Sequence, residues 1–74
     1  MRIGMLWFDN EPKKSTADKV LGAARYYHQK YGATATLAYV HPNMGKAEIE
    51  GITVKFSKEI LPNHVWIGVE KQDG

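Results

Sequence analysis

The pattern of apolar and polar positions divides the chain into one helix and four strands. The first segment runs from Met1 to Asp9 and contains an unbroken run of apolar or small residues from Ile3 to Phe8. This run leaves no polar face, so both faces of the strand need cover. We therefore predict a central strand, onto which the other elements pack.

The second segment has the spacing of an amphipathic helix. Ser15 or Thr16 can cap its start, and Gly32 suits a left-handed residue after its end. Between them, the apolar stripe recurs at i, i+3, i+4 and i+7 and consists of Ala17, Val20, Leu21, Ala24, Tyr27, His28 and Tyr31. The pattern predicts that His28 is buried and hydrogen-bonded, and that Tyr26 lies on the opposite, exposed side.

Three shorter segments predict further strands. They cover residues 36–41, 52–57 and 64–70, and the last of these places Val65, Ile67 and Val69 on one face. The order strand, helix, strand predicts a crossover connection with the first two strands parallel. Residues 42–51 contain Pro, Asn and Gly and are predicted to form a loop.

Together these segments predict a small α/β domain of the two-layer α+β type over residues 1–70, with residues 71–74 frayed. The predicted order is β-α-β-β-β, with one helix packed on one face of a mixed four-stranded sheet. One helix covers only one face, so the other face, to which Trp66 contributes, stays apolar and open. We expect self-association or a protein partner to cover it, and the alternative is that loop 42–51 folds over it.

Composition limits the classes of protein that fit. A chain of 74 residues has room for one small core. It contains no cysteine, so it has no disulfide, thiolate metal site or cysteine nucleophile. This fits a reducing compartment, and a cytoplasmic protein is the default expectation. No apolar run approaches the length of a membrane span, so no membrane partner is expected.

The charge balance is only mildly basic. Ten Lys and Arg against eight Asp and Glu give a formal net charge of +2. Nucleic-acid-binding domains usually show a denser basic patch. The balance therefore permits a nucleic-acid partner without requiring one.

Polar residues at the ends of the first two strands are candidates for chemistry. Asp9, Asn10 and Glu11 follow the first strand, and His41 follows the second. Since ligands of open α/β sheets gather at the carboxyl ends of parallel strands, Asp9 and His41 are candidates for an acid and base or for two metal ligands, and His64 joins them if strand directions allow. The simpler interpretation is that these residues form ordinary turns. We predict no catalytic residue, cofactor or metal.

The turn before the helix suggests a second kind of site. Lys13 and Lys14 oppose the helix dipole unless an anion is bound there, and the Ser15 and Thr16 hydroxyl groups can add donors. A P-loop is excluded because its glycines are missing. The alternative is two solvated lysines beside an ordinary cap.

Three aromatic residues are candidates for a contact surface. They are Trp7 and Trp66 on the strands and Tyr26 on the helix, where Lys19 and Lys30 are its basic neighbours. For Trp7 the simplest interpretation is a core residue, and for Tyr26 a single surface tyrosine.

The opening MRIGMLWFD, the helix end from Tyr26 to Gly32 and the step Val40-His41-Pro42 resemble a group of small uncharacterised bacterial proteins. The resemblance covers most of the chain and implies a free-standing bacterial protein, but it brings no activity or functional residue. We therefore predict a non-enzymatic interaction module that forms a homo-oligomer or docks on a larger protein. The alternative is a protein that binds nucleic acid or a phosphate ligand through the basic start of the helix. A third hypothesis is a small hydrolase or nuclease built on Asp9 and His41.

Overall fold

The computed structural model describes residues 3–69 of the chain. The elements are β1 (Ile3–Phe8), α1 (Thr16–Tyr31), β2 (Leu37–Val40), a short 3-10 helix (Pro42–Met44), β3 (Thr53–Phe56) and β4 (His64–Val69). The fold, with one helix packed on a mixed four-stranded sheet, is confirmed. The tail predicted to fray lies outside the described residues. Within them, no helix is long and apolar enough to cross a membrane.

The strands are ordered β1-β4-β2-β3 in the sheet. β4 runs antiparallel to both β1 and β2, while β2 and β3 are parallel. β1 and β2 therefore run in the same direction, as predicted for the crossover, but β4 lies between them.

The prediction that β1 is central was wrong, since it forms one edge of the sheet. Its unbroken apolar run has a different cause. One set of alternate side chains packs beneath α1, and the other set, Leu6 and Phe8, is left exposed.

The predicted caps define the ends of α1. The Ser15 hydroxyl oxygen accepts a hydrogen bond from the Asp18 amide at 3.1 Å. Gly32 has a φ of 70° and donates its amide to the His28 carbonyl oxygen at 2.8 Å. The left-handed conformation strains any residue with a Cβ, so glycine ends the helix here.

The buried side of α1 differs from the predicted stripe by nearly one residue position. Its buried residues are Lys19, Val20, Ala23 and Tyr27. His28 was predicted to be buried but is exposed, and Leu21 is 44% exposed. The Tyr26 ring lies 5.0 Å from the ring of Trp7 on β1, and this contact holds the Lys19 and Ala23 side of the helix against the sheet.

The core lies between α1 and the sheet. Its buried members are Val20, Ala23, Tyr27, Ala35, Ala38, Val40, Val65 and Ile67. Met44, Ile49 and Ile52 pack against the same cluster. Loop 42–51 therefore covers the helix side of the sheet, and the alternative in which it closes the opposite face is wrong.

Candidate interaction surface

The sheet face opposite α1, called the open face below, is formed by the side chains that alternate with the core positions. β1 contributes Gly4, Leu6 and Phe8, β4 contributes His64, Trp66 and Gly68, β2 contributes Leu37 and Tyr39, and β3 contributes Thr53 and Lys55. Since successive side chains of a strand point to opposite faces, this assignment follows from the burial of Val65 and Ile67 beneath the helix.

The part of the open face on β1 is apolar and exposed to water. Leu6 is 59% exposed and Phe8 is 55% exposed. Leu6 lies opposite Trp66 in the antiparallel pair, and Phe8 lies opposite His64 with 4.8 Å between their ring centroids. Two large apolar side chains thus stand side by side in water at the sheet edge, which identifies this region as the candidate interaction surface.

Trp66 has a fixed place on this face because Gly4 leaves room for it. A Cβ added at Gly4 would lie 2.3 Å from Cζ2 of Trp66 and 2.8 Å from the carbonyl oxygen of Ile67. The indole ring therefore lies directly over Gly4. Tyr39 meets the same ring edge-on, with 5.7 Å between centroids.

A groove of about 520 Å³ continues the open face toward the β3 side. Tyr39, Ser57, Glu59, Ile60 and Trp66 line it. Its aromatic walls belong to the same surface as Trp66, so the groove extends the candidate contact area beyond β1.

Of the three predicted contact residues, Trp66 is the one on the open face. Trp7 lies opposite Val65 on the helix side, partly buried and in contact with Tyr26. Trp7 and Trp66 therefore lie on opposite faces of the sheet, and the interpretation of Trp7 as a core residue fits the structure. Tyr26 is 44% exposed but packs on Trp7, so it is part of the contact between the helix and the sheet.

The polar residues at the strand ends are separated by β4. Asp9 follows β1 and His41 follows β2, so their backbones lie about two strand spacings, or roughly 10 Å, apart. His41 and His64 lie next to each other in the register, because Val40 pairs with Val65. The Asn43 amide donates to Nδ1 of His41 at 3.0 Å, and Nδ1 of His64 lies 3.0 Å from the Pro62 carbonyl oxygen.

This arrangement does not bring Asp9 and His41 together as an acid and base or as two metal ligands. Among residues 3–69, no group of three His, Cys, Asp or Glu side chains is placed to hold a metal ion. Of the candidates for chemistry at this edge, His41 and His64 are therefore neighbours, whereas β4 separates Asp9 from His41.

Asp9 is instead the centre of a local turn. Its Oδ1 accepts the amide of Glu11 at 3.0 Å, and its Oδ2 lies 3.3 Å from Nζ of Lys14. The Glu11 amide holds the pKa of Asp9 below its ordinary value of 3.8, with Lys14 acting in the same direction and partial burial opposing both. Asp9 is thus a carboxylate that stabilises the turn before the helix.

We expect Asp9→Asn to weaken the pH dependence of stability in acid. Since the folded pKa of Asp9 lies below its ordinary value of 3.8, its carboxylate stabilises the fold above that value, and this contribution is lost as the pH falls through the folded pKa. Urea unfolding between about pH 2 and pH 6 measures the effect. Glu48→Gln, which removes an exposed carboxylate beside Lys46, is the control and should keep the wild-type acid dependence. An unchanged dependence in Asp9→Asn would contradict the role given to this carboxylate.

The residues predicted to bind an anion are engaged with other groups. Lys14 pairs with Asp9, Ser15 caps the helix, and the Thr16 hydroxyl donates to the Met44 carbonyl oxygen. The Lys13 amide donates to a Glu11 carboxylate oxygen at 3.2 Å. Carboxylates therefore lie at the turn where an anion was expected.

A polar contact that the sequence did not indicate joins the helix to β4. Lys19 is only 6% exposed, and its Nζ donates to Oδ1 of Asn63 at 3.2 Å. Asn63 has a φ of 66°, and its carbonyl oxygen accepts the Asp9 amide at 2.9 Å. A Pro-Asn turn before a strand was the one signal available, and it indicated a turn rather than a partner for a lysine.

Comparison of the chain with protein-family models, with curated proteins and with solved structures gives no match. The resemblance based on the opening segment stays a prediction.

Proposed function

We propose that this protein is a non-enzymatic interaction module that self-associates, with the apolar side chains of the open face as its contact surface. The observation that carries this proposal is the exposure of Leu6 and Phe8, side by side next to Trp66, on the β1 part of the open face. Burial of one such side chain contributes about 1.5–3 kcal/mol, so a contact that covers both in two copies is worth several kcal/mol.

A second copy of the chain is the partner that the charges favour. On the β1 and β4 part of the open face, Gly4, Leu6, Phe8, Trp66 and Gly68 carry no charge, so this part of two copies meets without like-charge repulsion. A two-fold arrangement is self-complementary by construction. A nucleic acid requires cations along its path, and the described open face offers one lysine, Lys55 on β3.

The other hypotheses draw less support from the same residues. β4 separates Asp9 from His41, which weighs against a hydrolase or nuclease built on that pair. A phosphate at the helix start would have to displace Asp9 from Lys14. The absence of cysteine is compatible with a reducing compartment, so we place the proposed function in the cytoplasm.

Solution mass tests the proposal. Light scattering on a size-exclusion column, over a wide range of protein concentration and at two salt concentrations, should show a dimer or larger oligomer. The mass should be the same at high salt because apolar contacts are not screened. A monomer at the highest concentration would overturn the proposal.

We expect Leu6→Lys to weaken self-association by about 100-fold or more, since two copies each lose a buried leucine and gain a charge at the contact. Leu21→Lys is the matched control, because Leu21 is an exposed leucine on the outer side of α1. It should keep the wild-type mass. Equal effects of the two substitutions would show that the contact does not involve the open face.

A further inference from the structure

We infer that two copies join along the free edge of β1, in antiparallel pairing, so that one continuous sheet runs through both. The inference rests on the proposed self-association and adds its geometry. β1 is an outer strand, with β4 on one side and no described strand on the other. An unpaired strand edge offers a row of amide and carbonyl groups to a further strand.

The hydrogen bonds between β1 and β4 show which backbone groups of β1 point away from β4. The Asp9 amide donates to the Asn63 carbonyl oxygen across the end of the pair between β1 and β4, at 2.9 Å. Backbone groups alternate in direction along an antiparallel strand, so the odd-numbered residues of β1 face β4. The amide and carbonyl groups of Gly4, Leu6 and Phe8 therefore point away from the sheet.

The two edge strands of the sheet, β1 and β3, differ in features that discourage pairing with a strand of another chain. β3 is four residues long and carries Lys55 at its centre, both of which discourage pairing with another chain. β1 is six residues long and contains neither a charged residue nor proline. The unprotected edge is thus the one that also carries the exposed Leu6 and Phe8.

One register uses all three outward-facing residues of both copies. It places Leu6 opposite Leu6 of the second copy, on the two-fold axis, and Gly4 opposite Phe8 in both directions. Since opposed residues of antiparallel strands point to the same face, both helices lie on one side of the joined sheet. Phe8 of one copy then stands beside Gly4 of the other, where the Trp66 ring lies.

This register explains why a second copy fits better than an unrelated strand. It brings the exposed Leu6 side chains together and sets each exposed Phe8 against an indole ring.

Disulfide trapping at single introduced cysteines tests the inference, and the chain has no cysteine of its own to interfere. Leu6→Cys places the two sulfur-bearing residues opposite each other with about 5.5 Å between Cα atoms, within reach of a disulfide. Phe8→Cys is the matched control on the same strand and face, with nearly equal exposure. In the inferred register its two copies lie about 13 Å apart, beyond that reach.

In a glutathione redox buffer we expect Leu6→Cys to form the covalent dimer at least about tenfold faster than Phe8→Cys, and the two rates to become equal in denaturing urea. Equal native rates, or faster trapping at position 8, would overturn the edge pairing. If light scattering still shows a wild-type oligomer in that case, the proposed function stands with another geometry, such as packing of one open face on another. A monomeric wild type overturns both.

Discussion

Gly4→Ala is expected to lower the free energy of unfolding by about 1–2 kcal/mol, an unusual cost for adding one methyl group to a strand. The added Cβ would lie 2.3 Å and 2.6 Å from two atoms of the Trp66 ring and 2.8 Å from the carbonyl oxygen of Ile67. Overpacking of this kind costs about 1–3 kcal/mol. The higher strand preference of alanine returns about 0.5–1 kcal/mol of that cost.

The Trp66 side chain and the Ile67 backbone contribute differently to the expected loss of stability. The indole ring of Trp66 can rotate away, but the Ile67 carbonyl belongs to the backbone of β4 and moves only with the strand. Pairing of β1 with β4 near Gly68 would therefore loosen. Urea unfolding followed by far-UV circular dichroism measures the stability loss, and tryptophan fluorescence reports the displaced ring.

Gly22→Ala provides the opposite expectation in the same chain. Gly22 lies in the interior of α1, and a Cβ there meets nothing within 4 Å. Replacement should raise the free energy of unfolding by about 0.5–1 kcal/mol, since glycine is a poor helix former. If both alanine variants changed stability in the same direction, the tight contact between Gly4 and Trp66 would be contradicted.

The elements of this fold were predictable because their signals are local. Ser15 and Gly32 mark the ends of α1 by their own hydrogen bonds and backbone conformation. The alternation of Val65, Ile67 and Val69 defines one face of β4 whatever its neighbours are. Each of these signals lies within a few residues of the feature that it predicts.

The place of β1 in the sheet was not predictable from its own residues. A strand with two apolar faces is typical of a sheet centre, but the same pattern arises when one face packs on a helix and the other is a contact surface. The distinction depends on where β4 inserts, which is a long-range pairing. The strand that looked most buried in the sequence is the one that exposes Leu6 and Phe8.

The face of α1 that packs on the sheet was misjudged because lysine was counted as polar. The hydrocarbon stem of Lys19 covers core surface while its ammonium group reaches Asn63, 44 positions further along the chain. The sequence of the helix alone does not indicate a hydrogen-bond acceptor that lies so far along the chain. The buried stripe therefore differs from the one that apolar residues alone define.

Asn63→Ala is expected to lower the free energy of unfolding by about 2–5 kcal/mol, the largest effect on stability among the substitutions considered. Asn63 is held at a φ of 66°, where alanine costs about 1–2 kcal/mol and asparagine is tolerated. The substitution also removes the acceptor of a buried ammonium group, and an unsatisfied buried donor costs about 1–3 kcal/mol. Urea unfolding at neutral pH measures the sum.

The two contributions of Asn63 can be separated with two further variants. Asn63→Asp keeps an oxygen acceptor and tolerates the left-handed backbone, so it should stay within about 0.5 kcal/mol of the wild type or exceed it. In a Lys19→Met background, which keeps the stem and removes the charge, the cost of Asn63→Ala should fall to the backbone contribution of about 1–2 kcal/mol. If the cost were the same in both backgrounds, Lys19 and Asn63 would not be coupled. The start of the helix and the start of β4 would then be held together by the apolar contacts around them.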